Sequence, residues 1–482
     1  MRLLILAAAL LVAAPALADA PPAQPTAPAG LKQQVEAILA MAPQGTRWGV
    51  LVTDASGREV VSIDPDKRFI PASNTKLFTT AVALWKLPYG VPGTRVRLDP
   101  GAKGRQDVVL IGRGDPRLSS ASDCKGNCLS VLADAVAKEA RSVRNVIGDA
   151  TLFPDQRWSP GMSWNNIGTD SGTAISALSL DDNELPIVVA PTKPGQPPVI
   201  MVSPYLTLIN EAETVAAGPR ALNFEIKVNS RVLRVYGRIP VGDPYRDRLG
   251  IDDPAHYAAW TFKRMLAERG VRVRGEAISR YRPVGIDDGP EQRLPVLATV
   301  HPDDLAAIIP TSLLEDITII NKVSQNLHSE ILLRRVGLES GDGSLRNGAA
   351  AIQTMLAAIG IPRAGYDFAD GSGMSTYNRI SPRAAVALLR WTQSQPWAAE
   401  YRASLPIGGV DGTLRRRFAG TPLAGKIFAK TGTLNATNAL SGWMIGASGR
   451  ELTFSIIAND VPDGTSVLAT MDSVLVEIAA QN

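Results

Sequence analysis

Ser73 and Lys76 stand three residues apart in Pro71-Ala72-Ser73-Asn74-Thr75-Lys76-Leu77-Phe78-Thr79. Apolar residues recur at near-helical spacing after Asn74, and on a helix positions three apart lie one above the other on the same face. A hydroxyl beside an amine on a first helical turn is a nucleophile that carries its own base. A serine at that place is also an ordinary helix cap, so the pair needs partners elsewhere before it means catalysis. Ser122 and Lys125 have the same spacing but run into the turn signal Gly126-Asn127, which no helix would continue.

Two further short patterns follow downstream. Ser324-Gln325-Asn326 is a Ser-x-Asn in a segment that reads as helix or loop, and Ser163-Trp164-Asn165 repeats it. Lys430-Thr431-Gly432-Thr433 falls on a predicted strand, with Gly432 where a side chain would keep another backbone away. Each has a bland reading alone, as a local cap or a strand end. The three histidines, His256, His301 and His328, are scattered, and no Gly-x-Ser-x-Gly elbow occurs. A Ser-His-Asp enzyme therefore fits poorly, and if Ser73 is a nucleophile, lysine must do the work usually given to histidine.

The elements that would hold these residues come in three blocks. Helix Leu31–Ala42, strands Trp48–Asp54 and Glu59–Ile63, and the Ser73 helix ending near Leu87 form the first. Between about Val91 and Leu294 short strands prevail, among them Gln106–Ile111, Val199–Val202, Asn223–Val228 and Arg231–Tyr236, with helices at Leu129–Glu139 and Pro254–Glu268. This stretch reads as β-rich modules inserted after the Ser73 helix. The third block has helices at Glu315–Val336, Leu345–Ile359 and Ser381–Gln393. Strands Ile427–Leu434, Ala439–Ile445 and Glu451–Ala458 follow, and a helix over Gly464–Ala480 closes the chain. The last strands are expected to complete the sheet begun at Trp48, giving a discontinuous α/β domain.

Residues 1–20 combine Arg2, an apolar run from Leu3 to Leu17 and small residues up to Ala20, the layout of a secretory signal peptide cleaved after Ala18 or Ala20. The run is shorter than the roughly 20 residues a spanning helix needs, so no transmembrane anchor is expected in the mature chain. Of the 482 residues 45% are hydrophobic, enough for real cores in two or three domains. Aromatic residues are 5% and the net charge of +4 is interspersed, which points away from nucleic acid. The only cysteines, Cys124 and Cys128, are expected to close a small disulfide loop in an exported protein. A zinc site would need ligands that are not nearby, and no metal is expected.

Taken in order, Ser-x-x-Lys, Ser-x-Asn and Lys-Thr-Gly form the triple of penicillin-binding proteins and serine β-lactamases. Pro71 to Lys76, Gly112-Arg113-Gly114-Asp115-Pro116, Asp370-Gly371-Ser372-Gly373-Met374-Ser375, Leu405 through Leu414, Lys430 through Leu434 and Ala439-Leu440-Ser441-Gly442 narrow it further. The set resembles the low-molecular-mass class C penicillin-binding proteins, the D-alanyl-D-alanine carboxypeptidases/endopeptidases of the penicillin-binding protein 4 type. The chain departs from their pattern at Gln325, where Asp is usual, at Asn326-Leu327-His328-Ser329-Glu330, and along 310–318, which is longer than usual.

The resemblance implies a penicillin-binding, serine β-lactamase-like domain, an antiparallel sheet flanked by helices, at 31–90 and 295–482. It implies an inserted domain at 91–165 and 241–294 and a nested β-rich domain at 166–240. It further implies a periplasmic serine DD-peptidase that acts on peptidoglycan stem peptides, is acylated by β-lactam antibiotics, and needs no cofactor. Ser73 would be acylated, with Lys76 as base, Ser324 as proton relay, Asn326 ordering Lys76 and the substrate amide, and Lys430 holding charge. Thr431, Gly432 and Thr433 would bind substrate. Burial and the charge of Lys430 would both depress the Lys76 pKa. Two other readings remain open: a β-lactamase, for which no dedicated water-activating glutamate stands out, and a catalytically silent wall-binding or scaffolding protein, which would be expected to carry damaged motifs.

Overall fold

The computed structural model describes residues 29–87, 93–285, 301–309 and 312–482. The expected signal segment at 1–20 lies outside the described residues. Among the described residues no helix is long and apolar enough to cross a membrane.

One five-stranded antiparallel sheet draws on both ends of the chain. Its order is Ile427–Leu434, Thr437–Ile445, Glu451–Asn459, Arg47–Asp54, Glu59–Ile63. Strand Arg47–Asp54 pairs with Glu451–Asn459 over its whole length, so the long-range closure expected from the block order is present. The period-2 alternation of these strands sorts their side chains into two cores. Leu440 and Met444 face the first and last helices, Ala29–Leu39 and Leu468–Ala480. Ala439 and Trp443 face the helical layer that contains Thr75–Lys86. That helix is buried nearly all round, from Thr75 through Leu84.

The middle of the chain builds separate sheets and does not extend the first. A mixed five-stranded sheet runs Ala277–Arg282, Val146–Pro154, Gln106–Ile111, Arg95–Pro100, Asp304–Ala307. Two three-stranded sheets hold Glu184–Ala190, Val199–Val202 and Tyr245–Gly250, and Thr207–Val215, Ala221–Lys227 and Val232–Pro240. Strand pairing therefore reaches past the boundaries expected at 240 and 294. Tyr245–Gly250 pairs with Glu184–Ala190, and Asp304–Ala307 pairs with Arg95–Pro100. Cys124 and Cys128 are bonded in the loop before helix Leu129–Glu139.

The expected helix over Glu315–Val336 is two helices, Leu313–Lys322 and Asn326–Ser340. The break lies at Ser324, whose φ of 65° is left-handed. Gln325 then starts the second helix, its side chain accepting from the amide of Leu327 at 2.8 Å. The apolar pattern runs across Val323 without interruption, so spacing alone does not show the kink.

Candidate active site

Ser73 lies in a short 3-10 turn, Ala72–Asn74, that leads into helix Thr75–Lys86. It is half-buried, one turn before a fully buried Lys76. Ala72 just before it has a φ of 47°, a left-handed conformation that costs an alanine energy and must be imposed by its surroundings. Two glycines leave the room it needs. A Cβ on Gly373 would lie 1.9 Å from the Ala72 carbonyl oxygen, and one on Gly432 would lie 2.6 Å from that of Pro71. Asn459 clamps the approach segment by accepting from the Ile70 amide at 2.7 Å and donating to its carbonyl at 3.1 Å. Asn74 Nδ2 donates to Ser441 Oγ at 2.8 Å, tying the turn to the sheet.

Lys76 Nζ has three neighbours. It is 2.9 Å from Ser73 Oγ, 2.6 Å from Asn326 Oδ1 and 2.6 Å from the carbonyl of Ser372. Two of these can only accept. Asn326 is held in that orientation because its Nδ2 donates to the Ser171 carbonyl at 2.9 Å. A neutral amine would give its two N–H groups to the two carbonyl oxygens and aim its lone pair at the serine hydroxyl.

The electrostatics favour that neutral form. Burial pushes the Lys76 ammonium down to about 7, against the pull of the Asp370 and Glu330 carboxylates, which raise it. Burial, followed by the charge of Lys76, holds Lys430 well below its ordinary value. The repulsion expected between the two lysines thus registers on Lys430, and burial is the principal cause at Lys76. Burial, then the Glu330 charge, pushes the Asp370 carboxyl up to about 6.

Lys430 lies on strand Ile427–Leu434, at the edge of the sheet, and is fully buried. Its Nζ is 2.9 Å from Ser324 Oγ and 2.9 Å from the Thr431 carbonyl. Thr431 Oγ1 is 2.8 Å from Thr413 Oγ1. The loop carrying Thr413 backs this strand: the Ala429 amide donates to the Pro406 carbonyl at 3.0 Å, and Gly408 donates to Ile427 at 2.9 Å. Thr433 is exposed, its Oγ1 accepting from Asn438 Nδ2 at 3.2 Å.

Ser73, Lys76, Asn326, Ser324 and Lys430 are thus linked through two hydrogen-bonded clusters, with Gly432 packed against the backbone of the nucleophile turn. Cys124 and Cys128 are not linked to either cluster by any described hydrogen bond. Neither do the decoys join: Ser122 lies two residues before the disulfide-bonded Cys124, and Trp164–Asn166 is a separate 3-10 turn.

Four contributors are not indicated by motif spacing: Ser171, Glu330, Asp370 and Ser372. Ser171 and Ser372 act through backbone carbonyls, which leave no trace in side-chain patterns. Asp370 and Ser372 belong to the Asp370–Ser375 signature, and that run was the available signal. The inserted segment also grips the site's rim, Ser375 Oγ donating to the Pro160 carbonyl at 2.5 Å and His328 Nε2 lying 2.9 Å from Asp182 Oδ1.

Known proteins resemble the chain over most of its length. The chain is 35% identical to a D-alanyl-D-alanine carboxypeptidase of Actinomadura sp. (strain R39), over 93% of this chain and 84% of that one. It is 24% identical to the D-alanyl-D-alanine carboxypeptidase DacB of Haemophilus influenzae, covering 90% of each. The crystal structure of penicillin binding protein 4 (dacB) from Haemophilus influenzae superposes with a TM-score of 0.78 at 21% identity, over 92% of this chain and 97% of that one. The fold is shared, and the model of the D-Ala-D-Ala carboxypeptidase 3 (S13) family matches residues 31–482, so the chain belongs to that family.

Proposed function

We propose that the protein is a serine DD-peptidase, both carboxypeptidase and endopeptidase, that acts on peptidoglycan stem peptides and is acylated by penicillins. The observation that carries this reading is the Lys76 amine, whose two carbonyl acceptors leave only the Ser73 hydroxyl to meet its lone pair. Ser73 Oγ attacks the carbonyl of the D-alanyl residue while its proton passes to Lys76 Nζ. The backbone N–H groups of Ser73 and Thr433 hold the oxyanion, each donor being worth about 3 kcal/mol. Ser324 Oγ passes a proton to the departing amine, which is D-alanine in the carboxypeptidase reaction and the D-amino acid of a neighbouring stem in the endopeptidase reaction. The Lys76 ammonium then gives its proton to Ser324, replacing the one passed to the amine. Water attacks the resulting ester, the neutral Lys76 takes the water's proton and returns it to Ser73 Oγ as the acid departs, and free Ser73 is restored.

Lys430, Thr431 and Thr433 hold the substrate carboxylate. Two buried ammonium groups so close repel each other, and a bound carboxylate settles the matter by favouring the charge on Lys430. Lys76 is then neutral when the peptide is in place. Such substrates lie outside the cytoplasmic membrane, consistent with the export pattern at residues 1–20. Incubation with purified cross-linked and uncross-linked muropeptides tests the proposal. Release of D-alanine and conversion of dimers to monomers are expected, and stability of both substrates would contradict it.

A further inference from the structure

Glu330 and Asp370 are buried carboxylates at 3% and 0% exposure, and neither touches Lys76. Glu330 is on helix Asn326–Ser340, one turn beyond Asn326. Its Oε1 accepts from the amides of Gly371 and Ser372, at 3.0 and 2.9 Å. The carbonyl of that same Ser372 accepts from Lys76 Nζ. Behind Glu330, Arg334 Nη1 donates to Oε2 at 2.8 Å, and Arg334 Nη2 donates to the Gln156 carbonyl at 3.1 Å. Asp370 Oδ1 accepts from the Gly373 amide at 2.8 Å and from Asn378 Nδ2 at 2.6 Å, and Oδ2 accepts from the Ser375 amide at 2.5 Å. The two acids thus hold the peptide segment that orients the amine, Glu330 from the neighbouring helix and Asp370 from within the loop itself.

We infer that Glu330, supported by Asp370, is a positioning residue for the general base: it fixes the Ser372 carbonyl against Lys76 Nζ and places negative charge that sets how strong a base the amine is. The inference rests on the reading of Lys76 as the base. Burial alone would leave the amine neutral but feeble, because a base of very low pKa is a poor acceptor of a serine proton. The carboxylates counter that by favouring the protonated form of Lys76. The charged groups around Lys76 are Lys430 from the edge strand, Asp370 from the signature loop, and Glu330 with its partner Arg334 from the helix. His328, on the same helix, turns instead to Asp182 and Asp316.

Glu330→Gln keeps an oxygen for the two amides and removes the charge. Acylation by a fluorescent penicillin, followed across acidic to mildly alkaline pH, should show the acid limb moving down by about one pH unit. The plateau rate should fall several-fold, as a weaker base predicts, and Glu330→Asp should bring the limb part of the way back. A defect in packing alone would lower the rate without moving the limb, and an unmoved limb would overturn the inference. Should Glu330→Gln not fold, the wild-type protein decides. With 13C-labelled lysine, the Lys76 Cε signal, assigned by its loss in Lys76→Arg, should show a second inflection on the acid side as the Asp370 carboxyl behind it protonates. A single inflection would overturn the inference. Normal acylation by Lys76→Arg would instead overturn the base assignment itself, so the two failures are distinguishable.

Discussion

Ser324 Oγ and Lys430 Nζ lie 2.9 Å apart, joining a kink between two helices to the edge strand of the main sheet. The serine gains its position from a left-handed backbone at φ 65°, and the lysine reaches it from full burial. Neither residue touches Lys76 through a described hydrogen bond. In the proposed mechanism, the nucleophile and the relay serine thus each pair with a lysine of their own.

This division makes the lysines different in kind. Lys76→Arg should nearly abolish acylation, because arginine stays protonated at any working pH and cannot act as a base. Lys430→Arg should keep part of the activity, and Lys430→Ala should lose more. For the wild type, activity should rise with pH as the Lys76 ammonium, held at about 7, gives up its proton. The repulsion between the two amines registers on Lys430, and burial sets the Lys76 pKa, so the acid limb in Lys430→Ala should stay close to that of the wild type while the rate falls. Acylation rates against pH for the three variants check the ordering and the position of the limb.

Ser324→Ala should leave the fold intact and slow peptide cleavage by roughly a hundredfold, the loss typical of removing a proton-transfer group. The replacement keeps a Cβ, so the strain at φ 65° is unchanged. Release of D-alanine from a stem peptide, measured beside the melting temperature, separates a missing relay from a damaged kink. A rate within a few-fold of the wild type would remove Ser324 from the mechanism.

Gly373 and Ala72 form a second test, this time of how the nucleophile turn is held. A Cβ at residue 373 would meet the Ala72 carbonyl oxygen at 1.9 Å, and Gly373 itself has a φ of 89°. Gly373→Ala must displace the turn or distort the signature loop, at a cost of roughly 1–3 kcal/mol from the backbone conformation alone. Urea unfolding should show that loss, and acylation should slow with it. An alanine variant of unchanged stability and rate would mean that the turn is not braced from this side.

The sheet and the motif residues are legible in the chain because they rest on local patterns. Strand alternation marks Ile427–Leu434 and Glu451–Asn459, and the helix limits at Leu129–Glu139 and Pro254–Glu268 coincide with their turn and proline signals. The break at Ser324 is not legible, because a left-handed serine has no signature and Val323 continues the apolar period. The reach of the inserted segment into the site is hidden for another reason. Its contact with Asn326 is the carbonyl of Ser171, which any residue could supply. The burial of Glu330 and Asp370 is likewise a tertiary fact, since an acidic residue reads as solvated until something covers it.

The identity of the nucleophile is the centre of the mechanism, and a covalent adduct reads it directly. The full chain, labelled with a penicillin, digested and analysed by mass spectrometry, should carry the acyl group on Ser73, and Ser73→Ala should carry none. Among the described residues, Ser73 alone places its hydroxyl 2.9 Å from a buried amine whose other partners are both carbonyl oxygens. An adduct on Ser122, Ser324 or any other residue, or an unlabelled protein, would contradict the assignment.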